Sequence, residues 1–128
     1  MARIRSEDTM PELAVRKLLH RAGYRFRLHR NDLPGKPDIV LPRYRIAIFV
    51  HGCFWHGHEG CREGRKPKSN LAYWNRKLER NKERDRRNIQ QLETQGWHPV
   101  VVWECELQHG DALVRRLGAE IKASDGNG

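Results

Sequence analysis

The chain has 128 residues, 32% of them charged, and Lys plus Arg (25) outnumber Asp plus Glu (16) for a formal net charge of +9. That length suits one domain with a real core rather than two, and the excess of positive charge points to a polyanionic partner, nucleic acid before any other. No apolar run is long enough to span a bilayer and no signal peptide opens the chain, which excludes the membrane and secreted classes and predicts a cytoplasmic protein.

In chain order, the first predicted element is a helix. "SEDTMPELAVRKLLHRAGY" sets Thr9 and Glu12 at capping-box spacing, and Val15, Leu18, Leu19 and Ala22 form an apolar stripe before Gly23 stops the run. "YRFRLHR" alternates like a half-buried strand, and "NDLPGKP" is turn chemistry. "DIVLP" and "YRIAIFV" are short β-branched runs parted by Pro-Arg, the pattern of a hairpin. A long helical pattern runs from about Leu71 to Gln95 and ends at Gly96. "WHPVVVWEC" is the most hydrophobic strand and reads as a core strand, with Trp97 and Trp103 given to packing. The last pattern, Asp111 to Lys122, is a short helix with Leu113, Val114, Leu117 and Ile121 inward; residues 1–122 then form the domain and 123–128 a loose tail. The order α-β-β-β-α-β-α predicts a single-domain α/β fold with a mixed central β-sheet flanked by helices.

Between the hairpin and the long helix lies "FVHGCFWHGHEGC". Cys53 and Cys61, with His56 or His58 between them, offer three soft ligands from one turn, and Cys105 after the last strand supplies a fourth. Three thiolates and an imidazole at near-tetrahedral angles suit zinc. Three cysteines suit a disulfide framework badly, and ordinary buried cysteines would leave a Gly- and His-rich loop with nothing to order it. The spacing does not choose between His56 and His58. It leaves one histidine spare beside the metal, and a spare histidine is the usual general acid or base near neutral pH.

Asp38 follows a Gly-Lys-Pro turn at the entry of a strand hairpinned against the one that leads into the histidine loop, a place suited to a hard cation such as magnesium. Glu12, in the first helical turn, reads as a capping residue. On the long helix Leu71, Leu78 and Leu92 recur at heptad spacing, and Asp85 falls where that stripe calls for an apolar side chain. An inward carboxylate needs a partner, for which a loop histidine is the natural candidate; a solvated face fits the pattern equally well. Trp74, Lys77, Asn81 and Asp85 share one face of the same helix, amid Arg76, Arg80, Lys82, Arg84, Arg86 and Arg87. An indole above a Lys and an Asn makes sense beside bases, where the ring stacks and the amide reads an edge; Phe54 and Trp55 offer a second pair of wedges.

Taken together, "PGKPDIV", "IFVHGCFWHGH", "YWNRKLERNKERDRRNIQQLETQGW" and "VVVWEC", in this order and spacing from Met1 to about Cys105, resemble the very-short-patch repair (Vsr) DNA mismatch endonucleases. The resemblance implies a restriction-endonuclease-like PD-(D/E)xK nuclease fold with a structural zinc site. It implies a magnesium-dependent enzyme that nicks the thymine strand of a T:G mismatch, 5′ of the thymine, to repair deaminated 5-methylcytosine. Its partners would be mismatched double-stranded DNA and mismatch-repair accessory proteins, and it would work as a monomer at the nucleoid. Carried over residue by residue, Asp38 matches the magnesium carboxylate and His56 the catalytic histidine, with Glu12, His51 and Asp85 as its polar supports. Cys53, His58, Cys61 and Cys105 match the zinc ligands. Phe54, Trp55 and Trp74 match the aromatic wedge, and Lys77 and Asn81 the residues that read the wobble pair. The alternatives are a nuclease of the same fold with another DNA target, or a non-catalytic zinc-stabilised DNA-binding module.

The resemblance also implies three departures. Val50 stands where family members often carry Thr, so a magnesium contact from this position would come from the main-chain carbonyl. The stretch from His58 to Cys61 is longer by one residue, and "MARIRSEDTMPE" aligns within the family's N-terminal arm, so the part that reaches into the minor groove is expected to be missing. The lysine that nucleases of this fold carry on the second strand is absent, because that strand reads "AIFVHG"; a histidine base in its place predicts a rate that falls as pH drops through the imidazole range.

Overall fold

A computed structural model describes residues 9–56, 58, 61 and 68–126. The expected shortage of an arm at the start of the chain and the extra residue between His58 and Cys61 fall outside the described residues, as does most of the basic stretch before the long helix.

Helix α1 spans Met10–Arg21, with Pro11 in its first turn and Thr9 as its cap, the Glu12 N–H donating to Thr9 Oγ1 at 3.4 Å. Val15 and Leu19 are fully buried and Leu18 partly so. Ala22 is the exception to the predicted stripe, since it lies exposed beyond the helix end. The strand expected over "YRFRLHR" reduces to β1, Arg27–Leu28, because His29 turns left-handed (φ 53°) and ends the ladder. Tyr24 and Phe26 still pack against the core. Strands β2 (Ile39–Leu41) and β3 (Ile46–His51) form the expected antiparallel hairpin, turned through Pro42–Tyr44 and a left-handed Arg45. Helix α2 spans Leu71–Thr94, strand β4 His98–Trp103, and helix α3 Gly110–Gly126.

The four strands lie in the order β1-β2-β3-β4, with β4 parallel to β3 and the other pairs antiparallel. Side-chain alternation divides the sheet between two cores. Ile39, Leu41, Ile46, Ile48, Val100 and Val102 join Val15 and Leu19 of α1 and Leu113, Leu117 and Ile121 of α3. Val40, Ala47 and Phe49 face the other way, with Leu33 and with Leu92 of α2. The result is a three-layer α/β/α arrangement in which both faces of the sheet are covered.

Strand β4 is hydrophobic because helices cover both its faces, yet it stands at the sheet edge, where Pro99 is tolerated and Arg116 donates to the Val101 carbonyl at 2.8 Å. Leu71, the first residue of the predicted heptad stripe, is 49% exposed, whereas Leu78 and Leu92 are buried. Helix α3 runs past the expected end at Lys122 into the stretch read as a loose tail, and the Ser124 hydroxyl donates to the Tyr44 carbonyl at 2.6 Å. Among the described residues no helix is long and apolar enough to cross a membrane.

Candidate active site and metal cluster

Because β3 and β4 run parallel in register, with His51 opposite Trp103, their C-terminal ends emerge side by side. The loop after β3 coils tightly, His56 N–H bonding to the Gly52 carbonyl and His58 N–H to the Cys53 carbonyl. The turn after β4, Glu104–His109, is held by Glu106, whose carboxylate accepts from the Trp103 N–H (2.9 Å) and from Arg116 on α3 (2.9 and 3.0 Å). Two groups of side chains gather at this end of the sheet.

In the first group, one donor atom from each of Cys53, His58, Cys61 and Cys105 lies within 4.8 Å of every other, and Cys105 Sγ is 3.6 Å from His58 Nδ1. Cys53 is buried, and none of the three cysteines is in a disulfide. Burial, together with the Cys61 and Cys53 sulfurs, pushes the Cys105 thiol up to about 12, and burial also raises Cys53. Facing thiols resist ionisation without a cation between them, and a soft dication releases their protons. The donor set therefore fits zinc.

The second group lines a cleft of about 840 Å³ between α1, the start of β2 and α2. His56 Nδ1 lies 2.6 Å from Asp85 Oδ2. An ionised carboxylate only accepts, so Nδ1 carries the proton and Nε2 keeps the lone pair. Burial pushes the Asp85 carboxyl up, but the hydrogen bond from His56, then His51 and Arg84, outweigh it and hold the group below its ordinary value. His51 stacks flat on His56, centroids 3.7 Å apart and planes 5° off parallel. Burial, then the neighbouring His56, drops His51 to about 4, so it is neutral at physiological pH. Donor atoms of His51, His56 and Asp85 also fall within 4.8 Å of one another. Imidazole lone pairs lie in the ring plane, and two parallel rings cannot aim theirs at one ion. The trio is therefore arranged for hydrogen bonding rather than for ligating an ion, unlike the cysteine cluster.

On the α1 side of the cleft, Asp38 Oδ2 accepts the Val50 N–H at 2.7 Å, and Glu12, 2% exposed, stands beside it. Burial, and next to it the Glu12 carboxylate, lift Asp38 to about 7 against the pull of the Val50 N–H. Two carboxylates pressed together in a part-buried cleft are a fit for a hard dication. A strand residue's N–H and C=O leave the backbone on the same edge, so the Val50 carbonyl lies on the Asp38 side of β3.

At the mouth, Phe54, Trp55 and Trp74 form an aromatic shelf with centroids 5.1–6.2 Å apart, and Trp55 is 40% exposed. Lys77 Nζ lies 5.6–6.0 Å from the rings of Trp55, Tyr73 and Trp74. Asn81 Nδ2 donates to the Trp55 carbonyl at 2.9 Å, which ties the loop to α2.

Known proteins resemble this chain. A type II nicking enzyme of Xanthomonas oryzae pv. oryzae is 59% identical over 117 residues, covering 91% of this chain and 85% of the relative. The chain belongs to the Vsr family of DNA endonucleases. The profile of the DNA mismatch endonuclease Vsr matches residues 1–62. The Vsr protein of Escherichia coli K12 is 42% identical, over 88% of this chain and 72% of its own length. The catalytic domain of the homing endonuclease I-Bth0305I shares the fold alone, with a TM-score of 0.62 at 17% identity, over 91% of this chain and 98% of that domain.

Within this Vsr-family site, three features escaped the sequence. Trp103, assigned to packing, lies flat on His58 (4.0 Å, 8°) and turns its edge to His51 (5.2 Å, 76°), bridging the two groups. Tyr73 is half exposed beside the shelf, edge-on to Trp74. Arg16, one helical turn beyond Glu12, lies 3.5 Å from its carboxylate and 3.3 Å from His29 Nε2. Only the last carried a signal, the i,i+4 spacing of opposite charges.

Proposed function

We propose that the chain is a magnesium-dependent, strand-specific endonuclease that nicks duplex DNA 5′ of the thymine in a T:G mismatch, the opening step in repair of deaminated 5-methylcytosine. The observation that carries this reading is one cleft in which the His56–Asp85 pair faces the Asp38–Glu12 carboxylates, with an aromatic shelf at its rim. The names of the relatives, mismatch endonuclease and nicking enzyme, support the substrate and single-strand cleavage. Such an enzyme would work as a monomer at the nucleoid, with mismatch-repair accessory proteins as partners.

Hydrolysis of a phosphodiester needs an activated water, a stabilised pentacovalent phosphorus and a leaving oxygen relieved of its charge. Asp38 and the Val50 carbonyl would hold magnesium, with Glu12 beside them. When bound, magnesium supplies Lewis-acid polarisation of the phosphate and offsets charge on the leaving oxygen. His56 takes the proton of the attacking water at Nε2, and Asp85 fixes the ring through Nδ1 and stabilises the imidazolium that results. The neutral face of His51 keeps that ring from turning. Cys53, His58, Cys61 and Cys105 would hold zinc away from the reacting atoms, stiffening the loop that presents His56.

Recognition would come from deformation. Unstacking costs about a few kcal/mol per step, and a wobble pair stacks less well than a Watson–Crick pair, so inserting Phe54, Trp55 and Trp74 would cost less there. Lys77 and Asn81 would then read the exposed edges.

The test is a nicking assay on T:G, matched and single-stranded oligonucleotides, with magnesium or with EDTA. The expected outcome is one nick, in the thymine strand of the T:G duplex, dependent on magnesium and lost in Asp38→Ala while zinc is retained. Equal nicking of matched duplex would move the reading to another DNA target; binding without any nick would reduce it to a DNA-binding module.

A further inference from the structure

The turn that leads into Asp38 is strained in a way its own hydrogen bonding does not require. Gly35 and Lys36 are both left-handed, at φ 76° and 51°. At Gly35 the reason is steric: a Cβ there would meet Asn88 Cβ at 2.9 Å and the Phe49 ring at 3.0 Å, so the turn is pressed between α2 and β3. Lys36 has no such reason. Its N–H bonds to the Leu33 carbonyl at 3.0 Å, which any residue would do, and an L side chain in this region is disfavoured where glycine is not. Strain of this kind at a cleft points to use of the side chain.

The charges of the cleft say what that use is. Its lining includes four carboxylates, Glu12, Asp38, Asp85 and Glu104, against two permanent cations, Lys36 and Arg84. Arg84 stands on α2 beside Asp85, whereas Lys36 stands on the other wall, two residues before Asp38. Lys36 is exposed and makes no ion pair or hydrogen bond through its ammonium group among the described residues. A phosphodiester entering this cleft is repelled by the carboxylates and, among the described residues of the lining, meets one uncommitted cation on the Asp38 side.

We propose that Lys36 binds the scissile phosphodiester, its ammonium group donating to a non-bridging phosphate oxygen and supporting the charge that builds there during attack. The proposal rests on the nicking activity assigned above. It also explains why the left-handed turn is kept. Gly35 lets the chain pass between Asn88 and Phe49, and the next residue adds a cation to the same cleft lining as the carboxylate that would hold the metal.

Lys36→Gly separates this role from a structural one, because glycine relieves the backbone strain while removing the charge. Three variants, Lys36→Gly, Lys36→Ala and Lys36→Arg, are compared with the wild type in thermal unfolding and in single-turnover nicking with magnesium. Duplex binding is also followed by fluorescence anisotropy in calcium over a salt series. Lys36→Gly is expected to melt no lower than the wild type yet to nick roughly 10- to 100-fold more slowly, the loss of one charge-assisted hydrogen bond. Its log–log salt slope for binding should be shallower by about one phosphate contact. Lys36→Arg should retain the slope and most of the rate. A wild-type rate in Lys36→Gly, or an unchanged slope, overturns the proposal. Should the wild type nick no duplex at all, the nicking assignment fails, and the slope alone then decides whether Lys36 contacts phosphate.

Discussion

The cysteine cluster and the histidine–carboxylate cleft sit at the same end of the same two strands and draw on the same short loop, yet they are built on opposite rules. In the cluster, donor atoms from Cys53, His58, Cys61 and Cys105 converge on a point, and the thiols are held back from ionising by burial and by one another. In the cleft, His51 and His56 lie parallel so that their lone pairs cannot converge, and two of the ionisable groups have separate partners: Asp85 for His56, Glu12 and the Val50 N–H for Asp38. On the proposed reading, a loop carrying two histidines would serve a structural ion and a reaction together, its coil turning His56 to α2 and His58 to Cys105. Trp103, flat on one histidine and edge-on to the stack, is the wall between them.

The largest effect should come from breaking the cluster. Structural zinc sites carry about 10–16 kcal/mol of apparent binding free energy, comparable with the whole stability of a domain, about 5–15 kcal/mol. Cys105→Ser is expected to lose zinc and the cooperative melting transition together, read by circular dichroism. A folded, zinc-free variant would show that the cluster does not support the loop.

Next comes the His56–Asp85 pair, the proposed base and its partner. His56→Ala should slow nicking by about 10²–10⁴-fold with an unchanged melting curve and unchanged zinc. Asp85→Asn, which leaves the wrong group facing Nδ1, should cost a large part of the same factor. A rate within about threefold of wild type for either variant would remove His56 as the base.

The carboxylate side predicts a gain of stability. Asp38 stands at about 7 in the fold against an ordinary 3.8. Below the ordinary value both folded and unfolded states are protonated and nothing is lost. As pH rises toward 7 the folded state holds a proton that the unfolded chain has released, so stability falls. At about 1.4 kcal/mol per unit, Asp38→Asn in EDTA should be stabilised by roughly 2–4 kcal/mol at pH 8 and by almost nothing at pH 4. A difference independent of pH would mean that burial, with Glu12 beside it, does not raise Asp38 in the fold.

The smallest effect belongs to the shelf. Trp74→Ala should lower discrimination between T:G and matched duplex by about tenfold while leaving salt-dependent binding in place. Equal losses on both duplexes would return the shelf to non-specific stacking.

Much of the frame was legible because it rests on local rules. Thr9 announced the first cap, Gly96 the end of the long helix, and two β-branched runs the hairpin. What escaped depends on neighbours that no periodicity names. Leu71 keeps the heptad register but begins α2 beyond the reach of the sheet, so it is exposed while Leu78 and Leu92 are buried. The hydrophobicity of β4 reports coverage by helices, not a central place in the sheet, and Pro99 was the overlooked sign of an edge. Glu12 reads as a cap from spacing, and its N–H does bond to Thr9. Its burial beside Asp38 arises only when α1 docks on the sheet. The odd apolar-stripe position of Asp85 was the one local irregularity that did point across the fold, to a loop histidine.

The division of labour between the two histidines is open to one direct measurement, the zinc content per chain of His56→Ala and His58→Ala purified side by side. His56→Ala is expected to keep one zinc per chain and His58→Ala to lose it. The reverse pattern, or zinc retained by both, would contradict the claim that one loop feeds two chemically separate sites.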